Sequence, residues 1–94
     1  MEIIWRPTAL EDLEEIHGYI SKDNPPAADR IKARIRTAVE RLAPYPNLGR
    51  PGRVDETREL VVAGTSYIVA YAVLGNQLMV LSVIHGAQAW PDEF

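Results

Sequence analysis

The residues best suited to chemistry stand at the end of the last predicted strand, where His85 is followed by Gly86 and Gln88. An imidazole at a strand end can act as a general acid or base, because its pKa lies near neutrality. A histidine in this place can equally be bonded to nearby backbone groups. No partner residue stands at a patterned spacing from it. The sequence therefore favours a structural role for His85 and leaves acid–base catalysis as the alternative.

Other kinds of site find little support. The chain has no cysteine, which removes disulfides, thiolate nucleophiles and zinc sites with sulfur ligands. Its two histidines, His17 and His85, have no metal-ligand spacing, so we expect no metal and no cofactor. No serine stands in a nucleophile elbow. The proline within Gly49–Arg53 removes an N–H group that a phosphate cradle would need.

Charge is distributed unevenly along the 94 residues. From Arg30 to Arg58 there are eight basic and three acidic residues, so this stretch carries +5; the net charge of −3 leaves −8 for the remainder. Most of the basic residues are arginines, whose planar guanidinium fits carboxylate or phosphate. A basic belt on an acidic protein suits an acidic protein partner or one localised phosphate contact. It does not suit nonspecific coating of nucleic acid.

Two helices and a short strand are predicted in the first half of a single domain, residues 1–94. Glu2–Arg6 is a candidate strand, with Ile3 and Trp5 on one face and Ile4 on the other, and Pro7 ends it. Apolar residues at intervals of three and four predict helices from Thr8 to Ile20 and from Pro25 to Leu42. Thr8 has capping-box spacing to an acidic residue three positions on. The short linker predicts an antiparallel helical hairpin.

Three strands are predicted in the second half, after a loop from Tyr45 to Asp55. They are separated by turns at Gly64–Ser66 and Gly75–Gln77. With the first strand they make a sheet that the apolar faces of both helices can cover. The predicted fold class is therefore α+β: an antiparallel two-helix hairpin packed on a small, mainly antiparallel, four-stranded sheet.

The size and hydrophobicity of the chain predict where it works. Its apolar stretches have the length of strands and are too short to span a membrane, so no membrane contact is expected. The N-terminus lacks the basic region of a signal peptide, which predicts a cytoplasmic protein. A domain this small buries only about 60–65% of its unfolded surface, so its stability margin is thin. A habitual partner protein would suit it.

The pattern of these segments resembles the RelE/ParE superfamily of small bacterial toxins, and specifically its ParE branch. The resemblance rests on Gly49–Arg53, Thr57–Leu60, Tyr67–Tyr71 and the pair His85–Gly86, and matching positions run along almost the whole chain. Most of those positions belong to the core or to helix ends. The branch usually ends in His-Gly-x-Arg, whereas this chain has Gln88 at the last position. The resemblance implies the same α+β fold.

The ParE branch implies a noncatalytic toxin that binds DNA gyrase and blocks replication. It also implies a ParD-like antitoxin that folds onto the toxin in a hetero-oligomeric complex. The antitoxin, not this acidic chain, would contact operator DNA. The residues expected to contact gyrase are Arg50, Arg53, Arg58, His85, Gln88 and Trp90. Those expected to contact the antitoxin are Leu13, Ile16, Ile20, Arg30, Arg34, Arg41 and Arg58.

Three arginines share one face of the second helix. At 100° per residue, Arg30, Arg34 and Arg41 lie within about 40° of one another, away from much of the apolar face. This can be an ordinary solvated face. It can equally be a cationic rim that receives acidic side chains of an antitoxin.

The RelE branch supplies the alternative, a ribosome-dependent endoribonuclease. Its chemistry uses the ribose 2′-hydroxyl as nucleophile and needs cations around the phosphate together with an acid and a base. The residues available for it are Arg58, Tyr67, Tyr71 and His85. The set is incomplete, because no lysine follows Lys32 and the neutral Gln88 cannot stabilise a developing charge as arginine can. A third possibility is that Gln88 has removed toxicity altogether.

Overall fold

The computed structural model describes residues 1–88 and 90–94, in which five strands and two helices form. In chain order they are β1 (Glu2–Trp5), α1 (Pro7–Ser21), α2 (Pro25–Glu40), β2 (Arg50–Pro51), β3 (Arg58–Val61), β4 (Tyr67–Leu74) and β5 (Gln77–His85). The strands make one sheet in the order β1-β5-β4-β3-β2. Among the strand pairs of the described residues, β1–β5 is the parallel one. The predicted α+β class, helical hairpin and mainly antiparallel sheet are confirmed.

The sheet has five strands where four were predicted. The additional strand is β2, whose two residues lie in the predicted loop and pair with Arg58 and Glu59 of β3. Two residues are too few to show an alternating pattern. Pro51, which lacks an N–H group, is also a residue found mainly at sheet edges and bulges. The pairing is therefore visible only in the tertiary structure.

The two helices are antiparallel and are joined by only three residues. Asn24 begins α2, its side-chain oxygen accepting a hydrogen bond from the Ala27 backbone N–H at 3.1 Å. Polar contacts link the helices at two levels: a hydrogen bond between His17 and Asp29 and an ion pair between Glu14 and Lys32. The helix ends differ slightly from those predicted. Helix α1 begins one residue earlier, because proline fits the first helical turn, and residues 41–44 form turns that end α2.

The predicted capping box at Thr8 is wrong. Helix α1 has Arg6 at its N-cap with no side-chain hydrogen bond there, and the Thr8 hydroxyl instead donates to the carbonyl of Leu81 at 3.1 Å. Leu81 is the unpaired residue of a bulge in β5, since Ala70 pairs with Ser82 and Tyr71 with Val80. A bulge disrupts the ladder hydrogen bonds locally. Thr8 satisfies one backbone group of this bulge.

Asp12, one helical turn after Thr8, accepts hydrogen bonds from two residues beside the same bulge. Its Oδ2 accepts hydrogen bonds from the Ser82 hydroxyl at 2.7 Å and from the Val83 backbone N–H at 3.0 Å. Polar residues of α1 thus fix the helix against β5 at one position.

The core lies between the hairpin and one face of the sheet. Its largest fully buried side chains are Tyr71, Leu13, Ile35, Leu42, Leu78, Val39, Val62, Val69 and Val80. Within the described ranges, neither helix has the length and apolar character that a membrane span requires.

Candidate functional site

One buried carboxylate organises the arginines between β2 and β3. Glu59 is only 3% exposed. Its Oε1 accepts hydrogen bonds from Nε and Nη2 of Arg50 at 3.3 and 3.1 Å. Its Oε2 accepts from the backbone N–H of Arg53 at 2.8 Å and lies 3.6 Å from the Arg53 Nε. A buried charge is costly unless it is paired and hydrogen-bonded, and these four donors meet that requirement.

The C-terminal segment joins this cluster through Trp90. The Arg53 guanidinium carbon lies 4.0 Å from the centroid of the Trp90 ring, which is a cation–π contact. The structure thus brings together three of the residues predicted to contact gyrase: Arg50, Arg53 and Trp90. It places Gln88 and His85 separately, at the end of β5. The sequence did not identify Glu59 as a site residue. The one feature that could have indicated it is that an acidic residue follows three closely spaced arginines.

Arg58 and Tyr71 belong to a network that holds the loop before β2. The Arg58 Nη1 donates to the Gly49 carbonyl at 2.7 Å. The Gly49 N–H donates to the Tyr71 hydroxyl at 2.9 Å, and that hydroxyl donates to the Pro46 carbonyl at 2.7 Å. Burial raises the pKa of Tyr71, against the smaller opposing effects of the Gly49 hydrogen bond and the Arg58 charge. These contacts give both residues a structural task.

Gly49 allows this network to form. A Cβ at position 49 would lie 2.7 Å from the Cε1 and hydroxyl oxygen of Tyr71. The phenol therefore occupies the space that any larger residue would need.

His85 forms a second group with Tyr67. The two rings meet edge to face, with centroids 5.4 Å apart and planes at 88°. The His85 Nδ1 accepts a hydrogen bond from the Ala87 backbone N–H at 3.1 Å, which is the bonding expected of a structural role. The His85 side chain is nevertheless exposed. Burial, and secondarily the neighbouring Tyr19, raise the pKa of Tyr67.

The four residues proposed for RNA cleavage do not surround one point. Arg58 pairs with Tyr71, whereas Tyr67 pairs with His85. Tyr67 and Tyr71 are four residues apart along β4, which corresponds to about 13 Å at roughly 3.3 Å per residue. A general acid or base must lie within hydrogen-bonding distance of the group that it serves, directly or through one water. The arrangement therefore provides two separate pairs instead of one catalytic set.

Gln88 closes the turn that follows β5. Its Oε1 accepts a hydrogen bond from the His85 backbone N–H at 3.2 Å, and its own N–H donates to the His85 carbonyl at 2.9 Å. An arginine at this position has no side-chain acceptor and could not make the first of these bonds. Glutamine therefore has a local structural role here.

A groove of about 540 Å³ runs between α2 and β3. Its lining comprises Ala33, Arg34, Thr37, Ala38, Arg41, Leu48, Leu60, Val61, Val62 and Ala63. Leu48 and Val61 are 52% and 53% exposed. Arg34 and Arg41 supply its cations. Arg34 also donates to the Ala63 carbonyl at 3.2 Å, whereas Arg30 lies outside the groove lining.

The outer edge of β3 continues this groove. Strand β2 pairs with β3 only at Arg58 and Glu59, so Leu60 and Val61 extend beyond its end. A strand edge without a neighbour presents backbone donors and acceptors to another chain.

Two of the α1 residues predicted to contact an antitoxin, Leu13 and Ile16, lie on the inner face of the helix. Leu13 is 1% exposed within the core, so it has no surface to offer a partner. Ile16 packs against the same cluster, and Ile20 is half-buried.

Comparison with known proteins identifies this chain with a family of toxins. Residues 3–90 match the family of the ParE toxin of the type II toxin-antitoxin system parDE. The chain is 51% identical over 90 residues to "Putative toxin Y4kP" of Sinorhizobium fredii, covering 96% of this chain and 93% of that protein. It is 36% identical over 87 residues to "Toxin RelE2" of Caulobacter vibrioides, covering 93% and 97%.

A solved structure shares the fold. It comes from the chromosomal ParDE toxin-antitoxin system of P. aeruginosa and has a TM-score of 0.82 at 25% identity, covering 90% of this chain and 95% of that one. The family match spans nearly all of the chain, and the two sequence relatives exceed 30% identity over almost their full length. The chain therefore belongs to the ParE family of toxins of type II toxin-antitoxin systems.

Proposed function

We propose that this toxin arrests growth by binding DNA gyrase without cleaving a substrate itself, and that a ParD-like antitoxin neutralises it by occupying the groove between α2 and β3. Family membership supports the toxin role. The main support for a noncatalytic toxin is that Arg58 and Tyr71 already form hydrogen bonds with the loop before β2. They also lie about 13 Å along β4 from Tyr67 and His85.

Three features of the groove support an antitoxin as its occupant. Its floor is apolar, with Leu48 and Val61 about half exposed. Arg34 and Arg41 lie in its lining, so charge complementarity favours a segment with acidic residues. The edge of β3 beyond β2 can accept the backbone of an added strand. We therefore expect an extended apolar segment with acidic flanks.

The groove is tested by placing a charge in it. Val61→Asp should weaken binding of the ParD-like antitoxin by at least about tenfold, because it replaces an apolar contact with a carboxylate that must lose its hydration and that repels acidic residues of the antitoxin. Val73→Asp is the matched control, since Val73 is also an exposed strand valine but lies outside the groove lining. Binding is measured by titration calorimetry. Equal affinities for the two variants would show that the antitoxin binds elsewhere.

The gyrase target is tested with purified components. Toxin added to gyrase and supercoiled plasmid should accumulate cleaved DNA, and toxin expression in cells should induce the SOS response while messenger RNA stays intact. The target contacts are assigned to Arg50, Arg53 and Trp90, which the structure groups around Glu59. Cut messenger RNA with intact DNA would contradict this target.

The second candidate is a ribosome-dependent endoribonuclease, and the 36% identity to "Toxin RelE2" favours it. In that case the exposed His85 would serve as acid or base, and His85→Ala should lower the rate by about 10²–10⁴-fold. A gyrase-binding protein should lose little, because single contacts in a broad interface are often tolerated. His17→Ala on α1 is the matched control. Full toxicity of folded His85→Ala would exclude the endoribonuclease.

A further inference from the structure

The buried carboxylate of Glu59 contacts groups that face solvent on their other side. Its side chain is 2% exposed, whereas the side chains of Arg50 and Arg53 are 54% and 51% exposed. Each guanidinium therefore has one edge on Glu59 and other donors directed outward. An arginine carries five N–H donors, so the contacts to Glu59 leave several of them available to a partner.

Arg53 extends this arrangement to the C-terminal segment. Glu59 holds Arg53 at two atoms, the backbone N–H at 2.8 Å and Nε at 3.6 Å. The guanidinium carbon of the same residue lies over the Trp90 ring, 4.0 Å from its centroid. Glu59, Arg53 and Trp90 thus form a chain of contacts in which the carboxylate fixes the cation and the cation fixes the indole.

We propose that Glu59 is a positioning residue that fixes Arg50, Arg53 and Trp90 as one preorganised surface for a protein target. The inference rests on the proposed function, in which these three residues contact the target. Its physical basis is that a long arginine side chain loses conformational freedom when it binds. A carboxylate that has already ordered two arginines removes part of that loss from the binding step.

Tryptophan fluorescence tests the contacts among Glu59, Arg53 and Trp90 in the absence of any target protein. The protein has two tryptophans, so Trp5→Phe leaves Trp90 as the sole fluorescent tryptophan. In this background Glu59→Gln should shift Trp90 emission to the red and increase acrylamide quenching as much as Arg53→Ala does. Glu56→Gln is the matched control: it makes the same chemical change at an exposed position of the same segment. Circular dichroism verifies that each variant is folded.

Growth inhibition tests the consequence. Glu59→Gln should reduce inhibition by at least about tenfold, comparable to the double variant Arg50→Ala/Arg53→Ala. Adding Glu59→Gln to that double variant should cause no further loss, because Glu59 acts through the two arginines. A purely structural glutamate would give an additive loss that follows thermal stability.

Each result decides between the alternatives. Unchanged Trp90 emission in Glu59→Gln overturns the inference, as does an additive loss in the triple variant. A released Trp90 with full growth inhibition also overturns it, while the gyrase assay judges the proposed function separately. If Glu59→Gln fails to fold, Glu59→Asp replaces it, since aspartate keeps the buried charge but shortens the side chain that holds both arginines by one methylene group. Unchanged Trp90 emission in that variant overturns the inference as well.

Discussion

At the scale of single residues, hydrogen bonds within the protein show which side chains have a structural role and which can still bind a partner. Tyr71 and Arg58 carried catalytic and binding hypotheses, but both are engaged with the loop around Gly49. Glu59 attracted no hypothesis, yet it gathers two arginines. His85 keeps an exposed side chain beside Tyr67. The donors and acceptors already used by each side chain therefore decide which residues can still act on a partner.

Removing the Tyr71 hydroxyl should destabilise the fold. Tyr71→Phe leaves the buried Gly49 N–H and the Pro46 carbonyl without their shared partner. We expect a loss of about 1–3 kcal/mol in the free energy of unfolding, measured by urea denaturation. Tyr45→Phe, at a side chain that is 64% exposed, is the control and should change little. Equal stability of the two variants would contradict the role of this network.

The same hydroxyl should make stability depend on alkaline pH. Burial raises the pKa of Tyr71 in the folded state, so the unfolded chain ionises first as pH rises. The contribution of Tyr71 is then fully present below its ordinary pKa of about 10 and declines above it. The difference in urea stability between the unaltered protein and Tyr71→Phe should therefore shrink from pH 9 to pH 11. A difference that grows with pH would show that the sign is wrong.

Substitutions of Gln88 test whether toxicity requires a cation at this position. If the toxin needs a cation after His-Gly, Gln88→Arg should increase growth inhibition in cells that lack antitoxin. The change also removes the hydrogen bond to the His85 N–H. Gln88→Ala removes the same bond without adding charge, so the comparison of these two variants isolates the guanidinium. Equal inhibition by both would exclude a requirement for a cation at this position.

At the scale of elements, polar side chains at a few positions lock the helices and strands together. Asn24 starts α2, and Asp12 with Thr8 satisfies the bulge in β5. Strand β2 is held by its pairing with β3 and by the bonds of Arg50 to Glu59. Because the pairing of β2 ends early, the edge of β3 remains open beside the groove. The element boundaries therefore create the proposed antitoxin site.

Removing the N-cap of α2 measures how much Asn24 contributes to the free energy of unfolding. Asn24→Ala removes the acceptor for the Ala27 N–H, which should lower the free energy of unfolding by about 1 kcal/mol. Asn47→Ala in the exposed loop after α2 is the matched control. Denaturation midpoints of the two variants provide the comparison. A larger loss for Asn47→Ala would contradict the assignment of Asn24 as the cap.

At the scale of the whole molecule, opposite charges occupy different regions. The segment Arg30–Arg58, which carries +5, contains most of α2 and all of β2, whereas α1 is rich in acidic residues. The apolar groove is lined by this basic segment together with residues 60–63. A small domain with a thin margin of stability and an open apolar groove gains stability when a partner fills that groove.

Antitoxin binding should therefore raise the melting temperature. At a free antitoxin concentration of 100 times Kd, the linkage relation gives about 2.7 kcal/mol. For a domain of this size that corresponds to roughly 10–20 °C. A thermal shift titration measures it, and Val61→Asp should show a smaller shift at the same concentration. An unchanged melting temperature across the titration would contradict the complex.

The sequence by itself determined the helices, the turns and the family. Apolar periodicity, the prolines at the helix starts and the glycines at Gly64 and Gly75 act locally, and both glycines have the positive φ angles that such turns use. Tertiary structure alone decided that Thr8 binds a bulge, that Arg50 and Pro51 form a strand and that Leu13 is inaccessible. It also decided that Arg50, Arg53 and Trp90 meet at Glu59. The contacts of Thr8 and Trp90 join residues far apart in the chain, and those of Arg50 and Arg53 with Glu59 depend on how the loop between them folds. Local sequence patterns specify neither kind of partner.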